Sequence, residues 1–422
     1  MDFLKTATAN EALLIEMRRH LHENPELSDK EYNTIEYIKE KLTKFGVEFV
    51  EIKRGGILAH VGDASKGKTV LLRGDCDALP VPENPENLKG PKACISKIDG
   101  ISHACGHDAH TSMLLGAAKI LKEMESELKG IVYLVFERGE EATGNFKYIF
   151  RYFHENNMKF DAVYGTHTLA TYETGKVSLE PGGVMAGSCW FDVIIRGRGG
   201  HGSRPDLSIS PIDCFSAFNT ALNGLRLKYI SPFETLGISI GNVKAGVASN
   251  VIPDEIRFGG SARFLNKSTG LAFREEFLYL LEKTAEAYHC TFEVVSIGNP
   301  SNGVINNADL SAFGKQAIAK HVGSEYVGKV DPWMASESFS VYLQFYPGVF
   351  AFLGMKNPEK GVGAEHHNEK FDVDEDVLKL GVAAQVAYAY EFLENPITPE
   401  FIPYDGTALD LLKEVGFDNF ED

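Results

Sequence analysis

The chain has few of the features that mark membrane and secreted proteins. It has 6 cysteines in 422 residues, too few for a disulfide framework, and none forms a Cys-x-x-Cys pair. No apolar run reaches the roughly 18 residues that a membrane span needs. The start of the chain, from Met1 to Lys5, has no basic segment followed by an apolar stretch. We therefore expect a cytoplasmic protein without a membrane partner.

Positive charge is also scarce. Lys and Arg number 42 against 59 Asp and Glu, which gives a formal net charge of −17 at pH 7. This excess of negative charge disfavours binding to phosphate groups, so we expect no nucleic-acid partner. With 44% hydrophobic residues, a chain of this length predicts two or three globular domains.

Short strands alternate with helices, which indicates an α/β protein with a mostly parallel central sheet flanked by helices. Ser28 is the expected cap of an early helix. The predicted strands of the first domain cover 56–61, 69–73, 131–136 and 162–164. From about residue 187 longer amphipathic strands favour a smaller inserted α+β domain. The predicted organisation is a discontinuous domain of residues 1–186 and 299–395, an insertion of residues 187–298, and an acidic tail of residues 396–422 whose role is unknown.

The densest group of metal-binding residue types is the segment 102–110, Ser-His-Ala-Cys-Gly-His-Asp-Ala-His. Thiolate and imidazole together suit zinc-like ions. We expect Cys105 and His107 on one side of an extended segment, and Asp108 as the cap of a helix that begins near His110. A histidine-rich surface loop is the alternative, but the tight spacing favours a metal site.

Two adjacent carboxylates, Glu140 and Glu141, follow the predicted strand 131–136. Open α/β sheets place their active sites at the carboxyl ends of strands. One carboxylate could bind a metal there while the other transfers protons. An ordinary acidic turn is the alternative.

A second carboxylate pair, Asp75 and Asp77, comes at the end of the predicted strand 69–73. Residues two apart on a strand point to the same side. An aspartate in such a place commonly orients a metal-bound imidazole. Candidate imidazoles follow other predicted strands or loops at His167, His366 and His367.

Several segments together resemble the dinuclear metallopeptidase family of aminoacylases, hippurate hydrolases and auxin-conjugate (indole-acetyl-amino-acid) hydrolases. The resemblance covers about the first 395 residues, and Cys-Gly-His-Asp is its most specific element. It implies that residues 1–186 and 299–395 form a metal-binding catalytic domain and that residues 187–298 form a lid, through which such proteins often form homodimers or higher homo-oligomers. The segments that carry it are 17–27 (Met-Arg-Arg-His-Leu-His-Glu-Asn-Pro-Glu-Leu), 75–80 (Asp-Cys-Asp-Ala-Leu-Pro), 103–110, 140–141, 200–201 (Gly-His) and 371–375 (Phe-Asp-Val-Asp-Glu).

The resemblance also implies roles for individual residues. It makes Glu140 the general base, and we count Asp77 with the catalytic residues as the carboxylate that orients an imidazole. His201 is similar to a lid histidine that reaches the substrate carbonyl oxygen, commonly across a dimer. Asn250 and Arg263 are similar to lid residues that hold the substrate carboxylate, although a surface ion pair is an alternative for Arg263. The implied ligands of two divalent metal ions are Cys105, His107, Glu141, His167 and His367.

Comparison with the family pattern decides one ligand and shows one difference in this chain. His367 is chosen over His366 because the family ligand stands four residues before the Phe that is Phe371 here. Residues 137–139 read Glu-Arg-Gly where the family usually has Gln-Pro-Ala. We expect this change beside Glu140 to alter substrate preference.

The expected activity is hydrolysis of the amide bond of a small N-acyl amino acid by a hydroxide that bridges two metals, with Glu140 as the base. Zinc is the first expectation for the metal, with manganese, cobalt or nickel as alternatives. Two other functions stay open at this point. One is a dipeptidase or aminopeptidase acting on short unblocked peptides, and the other is a metal-dependent binding protein without catalytic activity.

Overall fold

A computed structural model describes residues 1–142 and 144–414 of the chain. These residues form two compact units. The first unit comprises Met1–Gly182, Asn306–Asp331 and Val341–Leu409, and the second comprises Gly183–Ile305, Pro332–Ser340 and the described residues from Asp410 onward. Whether the second unit acts as a lid or as a dimerisation domain stays a prediction.

The helices and strands of the described residues are numbered in chain order. The α-helices are α1 (Phe3–Ala9), α2 (Glu11–Glu23), α3 (Tyr32–Phe45), α4 (His107–Glu123), α5 (Phe146–Glu155), α6 (Pro211–Lys228), α7 (Lys267–Ala287), α8 (Ala308–His321), α9 (Phe339–Phe345), α10 (Leu378–Glu394) and α11 (Ala408–Glu414). The strands are β1 (Glu48–Ile52), β2 (Gly56–Gly62), β3 (Lys68–Asp75), β4 (Gly130–Glu137), β5 (Ala162–Glu173), β6 (Val177–Ser178), β7 (Gly182–Met185), β8 (Gly187–Arg196), β9 (Gly200–His201), β10 (Leu236–Ala245), β11 (Val251–Ile252), β12 (Glu255–Phe264), β13 (Thr291–Ile297), β14 (Val304–Asn306), β15 (Val327–Gly328) and β16 (Gly348–Lys356).

The first unit is built on an eight-stranded sheet with the order β1-β2-β4-β3-β5-β16-β6-β15. The central neighbours β4, β3, β5 and β16 run parallel to one another, whereas β1 and β2 form an antiparallel edge. Central parallel strands are covered on both faces and therefore read as continuous apolar runs. In β4, Val132, Leu134 and Val135 are all fully buried. This arrangement confirms the predicted α/β class with a mostly parallel sheet.

Helices α4 and α10 pack closely against each other in the core of the first unit. A Cβ atom at Gly381 would lie 2.0 Å from Sδ of Met113, and one at Gly116 would lie 2.4 Å from a methyl group of Leu14. Only glycine leaves room for neighbouring elements to approach this closely. The position of α4, which begins at His107, is therefore set by close contacts along its length.

The second unit is an antiparallel four-stranded sheet with the order β10-β12-β8-β13, and α6 and α7 pack against it. Its core is rich in aromatic side chains, including Phe191, Phe218, Phe258 and Phe277. Alternate residues of β8 are buried and more exposed, as expected for a sheet with helices on one face. The α+β character expected of the insertion is confirmed.

Two local expectations need correction or completion. Ser28 does not cap α3, because Glu31 occupies that position and the Ser28 hydroxyl donates to Asp77 instead. The described part of the predicted tail contacts the first unit through backbone groups of Glu400 and Tyr404. Residues 415–422 of that tail lie outside the described residues. Within the described part of the chain, every helix is too short or too polar to cross a bilayer.

Candidate metal centre

A tight turn at Gly106 presents the most specific sequence motif. Gly106 has φ +89°, a left-handed conformation, and a Cβ atom there would lie 2.4 Å from Oγ1 of Thr168. Helix α4 begins immediately afterwards at His107, not near His110 as the sequence had predicted. The first ligand candidate, Cys105, therefore precedes the turn, while His107 stands in the first helical turn.

Asp108 does not cap α4, and its carboxylate has a different use. One of its oxygens lies 2.8 Å from Nε of Arg18 and 2.8 Å from Nδ1 of His22, and all three side chains are buried. Burial alone would raise the pKa of Asp108, but Arg18 and the hydrogen bond with His22 hold this pKa well below its ordinary value. The start of α4 is thereby tied to α2, which restrains the position of His107.

Side chains from four separate segments of the chain converge around this turn. The possible ligand atoms of Cys105, His107 and His167 lie within 4.8 Å of one another, and so do those of Cys105, Glu141 and His367. A third group of the same size joins His107 to Glu140 and Glu141. The three groups share members, so all five predicted ligands and the predicted base lie in one cluster of the first unit.

The distances within the cluster are short. Sγ of Cys105 lies 3.5 Å from Nε2 of His167. Oε1 of Glu141 lies 3.3 Å from Nε2 of His367 and 3.8 Å from Nε2 of His107. Each predicted ligand therefore has another ligand atom as a near neighbour.

The histidines of the cluster are held in defined orientations. Nδ1–H of His167 donates to the carbonyl oxygen of Thr168 at 2.6 Å, which directs Nε2 towards Cys105. His367 has φ +61°, which is uncommon for a residue with a side chain, and its backbone N–H donates to Ala104 at 2.8 Å. Backbone strain of this kind persists where the surroundings fix it. Both imidazoles are thus positioned by the fold.

Asp77 connects two members of the cluster. Its Oδ1 lies 3.1 Å from Nδ1 of His107, and its Oδ2 accepts the backbone N–H of Glu141 at 3.0 Å. Ser28 donates to the same Oδ2 at 2.6 Å. An imidazole that donates Nδ1–H to a carboxylate presents its Nε2 lone pair to a ligand. This is the contact expected of the carboxylate that orients a metal-bound histidine.

The donor set fits divalent cations. Nε2 of His107 and Oε1 of Glu141 are buried, yet neither makes a well-formed hydrogen bond to any residue that the structure describes. Burial and the neighbouring Glu141 raise the pKa of the Cys105 thiol well above its ordinary value. A bound cation would favour the thiolate instead, because it supplies the opposing charge. These two buried atoms without hydrogen-bond partners among the described residues lie 3.8 Å apart, and a metal bound between them would satisfy both.

Sequence reasoning missed a charged network beneath this cluster. Arg73 lies 2.6 Å from Asp75 and 3.0 Å from Glu137, and these three side chains are inaccessible to solvent. Oδ1 of Asp75 lies 2.6 Å from Nδ1 of His110, whose Nε2 accepts the backbone N–H of Thr168 at 2.9 Å. His110 therefore uses both ring nitrogens within the protein. The only sequence signal was the spacing of His110 three residues after His107, which places both on one face of α4.

The predicted lid residues all lie in the second unit. His201 is exposed on β9 and pairs with Val251 on β11, next to Asn250. The backbone N–H of Ser203 donates to Nδ1 of His201 at 3.1 Å, which leaves the ring proton on Nε2 in the neutral tautomer.

Arg263 lies elsewhere in the second unit. Its Nη1 lies 2.5 Å from Oγ of Ser336, and its guanidinium stacks over the ring of Trp190 at 5.0 Å. Strand β8 ends beside Glu255, the first residue of β12, and His201 follows that end of β8. Arg263 lies near the last residue of β12, at the opposite end. Eight residues of strand separate those ends by roughly 25 Å. The structure thus brings His201 and Asn250 together but places Arg263 away from them.

The chain matches peptidase family M20/M25/M40 over residues 71–391. It is 35% identical over 386 residues to thermostable carboxypeptidase 1 of Saccharolobus solfataricus, covering 90% of this chain and 95% of that protein. It is 34% identical over 397 residues to the IAA-amino acid hydrolase ILR1-like 4 of Arabidopsis thaliana, covering 93% and 88% of the two chains. It is 32% identical over 375 residues to N-acetylcysteine deacetylase of Bacillus subtilis, covering 87% and 93%.

Solved structures agree with these similarities. A putative aminohydrolase from methicillin-resistant Staphylococcus aureus superposes with a TM-score of 0.81 at 31% identity, over 93% of this chain and 99% of that one. The YXEP protein of Bacillus subtilis, a dinuclear metal-binding peptidase, superposes with a TM-score of 0.76 at 28% identity, over 92% and 99%. Together with the ligand groups above, this dinuclear relative supports two divalent metals in this chain.

Proposed function

This chain belongs to peptidase family M20/M25/M40 and is a metal-dependent hydrolase of amide bonds, and we propose that its substrates are N-acyl amino acids. The observation that carries the catalytic part of this proposal, hydrolysis with Glu140 as the base, is that Glu140 lies in the same cluster as Cys105, His107, Glu141, His167 and His367. A site that only bound metal would have no need of a further carboxylate beside the ligands.

The names of two relatives support this choice of substrate. IAA-amino acid hydrolases and N-acetylcysteine deacetylase are both named for acylated amino acids. A short peptide is the second candidate substrate, because a carboxypeptidase is similar to this chain at 35% identity. Both substrate classes present an amide carbonyl followed by an amino-acid carboxylate.

In the proposed mechanism the metals are held by the five ligand residues named above, with zinc as the first choice. Divalent ions bound there would polarise the amide carbonyl and lower the pKa of water. Glu140 accepts the proton of the attacking water and returns it to the leaving amine nitrogen. Asp77 keeps the ring of His107 in the orientation and tautomer that a metal ligand needs.

We assign substrate contacts to the second unit. His201 carries its ring proton on Nε2 in the neutral tautomer and can donate it to the carbonyl oxygen as negative charge develops there. Asn250 and Arg263 would bind the substrate carboxylate. His201, on β9, lies towards the Glu255 end of β12, whereas Arg263 lies near the other end, roughly 25 Å along the strand. With this spacing we expect that one small substrate does not contact both residues in one subunit. We therefore propose a homodimer in which two copies supply these residues to each site.

The decisive experiment is a substrate panel with the purified protein loaded in turn with zinc, manganese, cobalt or nickel. N-acetyl and N-benzoyl amino acids are compared with unblocked dipeptides, and amine release is measured. We expect turnover of the acylated compounds and a loss of at least about 10²-fold in kcat for Glu140→Gln. Glu155→Gln, an exposed carboxylate at the end of α5, is the matched control and retains activity.

The results of the substrate panel distinguish the three candidate functions. Preference for unblocked dipeptides would replace the acyl amino acid by a peptide as substrate. Binding of acyl amino acids without turnover, and with no effect of Glu140→Gln, would establish a binding protein and overturn the hydrolase mechanism.

A further inference from the structure

The turn that precedes Glu140 is fixed by a buried carboxylate from another part of the chain. Glu31 is inaccessible to solvent. Its Oε1 accepts the backbone N–H of Gly139 at 2.8 Å, and its Oε2 accepts Nε–H of Arg138 at 3.0 Å. The two oxygens of one carboxylate therefore hold two consecutive residues, directly before Glu140.

The residue after Glu140 is held in the same way. Asp77 accepts the backbone N–H of Glu141 at 3.0 Å, and Ser28 donates to the same oxygen. Ser28 and Glu31 belong to the short connection between α2 and α3. This connection braces the backbone on both sides of Glu140, directly through Glu31 and indirectly through Asp77.

Arg138 adds contacts that a proline could not make. Its backbone N–H donates to Gly55 at 3.1 Å, and its guanidinium lies 5.5 Å from the ring of Tyr32. Only 7% of Arg138 is exposed. Removing one partner of a buried ion pair leaves the other charge uncompensated, so the Arg138–Glu31 pair is costly to break. The Glu-Arg-Gly sequence at 137–139 therefore takes part in a specific buried contact with Glu31.

Gly139 completes the turn. It has φ +68°, a conformation that glycine adopts without strain. Burial and the nearby Asp77 raise the pKa of Glu31 to about 6, while Arg138 opposes that rise. Arg138 thus favours the charged carboxylate, which is the stronger acceptor for the N–H of Gly139.

We propose that Glu31 and Arg138 are positioning residues that hold the backbone of Glu140 so that its carboxylate stays beside the metal ligands. This inference rests on the proposed role of Glu140 as the base. Small displacements of a catalytic group reduce kcat steeply, whereas substrate binding depends on other contacts. Glu31 and Arg138 should therefore affect kcat without affecting KM.

The test compares Glu31→Gln, Arg138→Met and Arg138→Lys in the metal-loaded protein. We expect Glu31→Gln and Arg138→Met to reduce kcat about tenfold with unchanged KM and metal content. Arg138→Lys keeps the charge that compensates Glu31 and should therefore lose less kcat than Arg138→Met. The control is Glu391→Gln, which changes a mostly buried carboxylate of α10 that pairs with Lys320 and His321 on α8 and should leave kcat unchanged.

Amide hydrogen exchange gives a readout that needs no activity. In peptides that cover 138–142, Glu31→Gln should accelerate exchange at Gly139 at least about tenfold, because the N–H loses its charged acceptor. Glu391→Gln should leave this segment unchanged. Because Glu31→Gln preserves the shape of the side chain, it still tests the proposal if Arg138→Met does not fold.

The outcomes separate this inference from the proposed function. If the natural protein hydrolyses no substrate of the panel, the proposed function fails and the exchange experiment still decides whether Glu31 fixes the turn. If Glu140→Gln abolishes turnover while Glu31→Gln and Arg138→Met change neither kcat nor exchange, the inference alone is overturned. A change in KM or metal content with constant kcat would also overturn it.

Discussion

Nδ1 of His107 lies 3.1 Å from Oδ1 of Asp77, and both side chains are buried. We predict that Asp77→Asn weakens metal binding by roughly 10–100-fold, because the amide no longer fixes the charge and tautomer of the imidazole. Competition with a chromogenic chelator measures this affinity. Asp192→Asn, which removes an exposed ion pair with Arg257, is the control. Equal affinities for both variants would contradict the prediction.

Gly106→Ala should destabilise the protein more than the same change at another left-handed glycine. At Gly106 the added methyl meets Thr168 at 2.4 Å, whereas Gly175, with φ +76°, has no atom within 4 Å. The left-handed conformation alone costs about 1 kcal/mol. We expect about that loss for Gly175→Ala and roughly 2–4 kcal/mol for Gly106→Ala from urea denaturation. Equal losses would show that Thr168 moves freely.

The two adjacent histidines should respond differently to substitution. His366 accepts the backbone N–H of Ala170 at 3.1 Å, whereas His367 lies 3.3 Å from Glu141 within the ligand cluster. Elemental analysis after dialysis should show that His367→Gln loses bound metal and that His366→Gln keeps it. Retention of metal by His367→Gln, with loss in His366→Gln, would reverse the assignment.

Acid should remove the stabilisation that Glu83 provides. Burial alone would raise the pKa of Glu83, but hydrogen bonds from His22 and Lys92 lower it from 4.5 to about 2. A carboxylate with a depressed pKa stabilises the folded protein fully above its unfolded value of 4.5, and this contribution disappears as the pH falls to about 2.

Glu83→Gln should therefore lower the free energy of unfolding at pH 7, by at most about 3 kcal/mol. The difference from the natural protein should shrink between pH 4.5 and 2. Urea denaturation in the presence of a chelator measures this difference on metal-free protein, so that metal release at low pH does not contribute to it. Glu36→Gln, which changes an exposed carboxylate, should have little effect at any pH. A difference for Glu83→Gln that does not vary with pH would rule out this explanation.

Apolar patterning and motif spacing predicted the framework of the first unit. The predicted strand 131–136 matches β4, Gly130–Glu137, because its residues are buried on both faces. Strand β5 was predicted to end at 164 but continues to Glu173. The polar run Thr166-His167-Thr168 resembles a loop in sequence. It remains a strand because its backbone pairs in parallel with β16, so that His167 lies opposite Phe352.

The parts that sequence did not predict depend on partners far along the chain. Asp108 was expected to cap a helix, yet it pairs with Arg18, ninety positions earlier. Ser28 was expected to cap α3, yet its hydroxyl donates to Asp77. Short polar side chains satisfy local backbone groups and distant charges equally well. Local pattern therefore identified the residues that matter and could not assign their partners.

The glycine contact between α4 and α10 has a consequence for variation across the protein. His107 begins α4, and the depth of that helix is set where Gly381 meets Met113. A side chain at position 381 would have to displace Met113 of α4, and α4 would transmit to its first turn any part of that displacement that the Met113 side chain does not absorb. Substitutions at this helix crossing can therefore change the distances between the metal ligands. Laboratory evolution for a different metal preference can use positions there, outside the site itself.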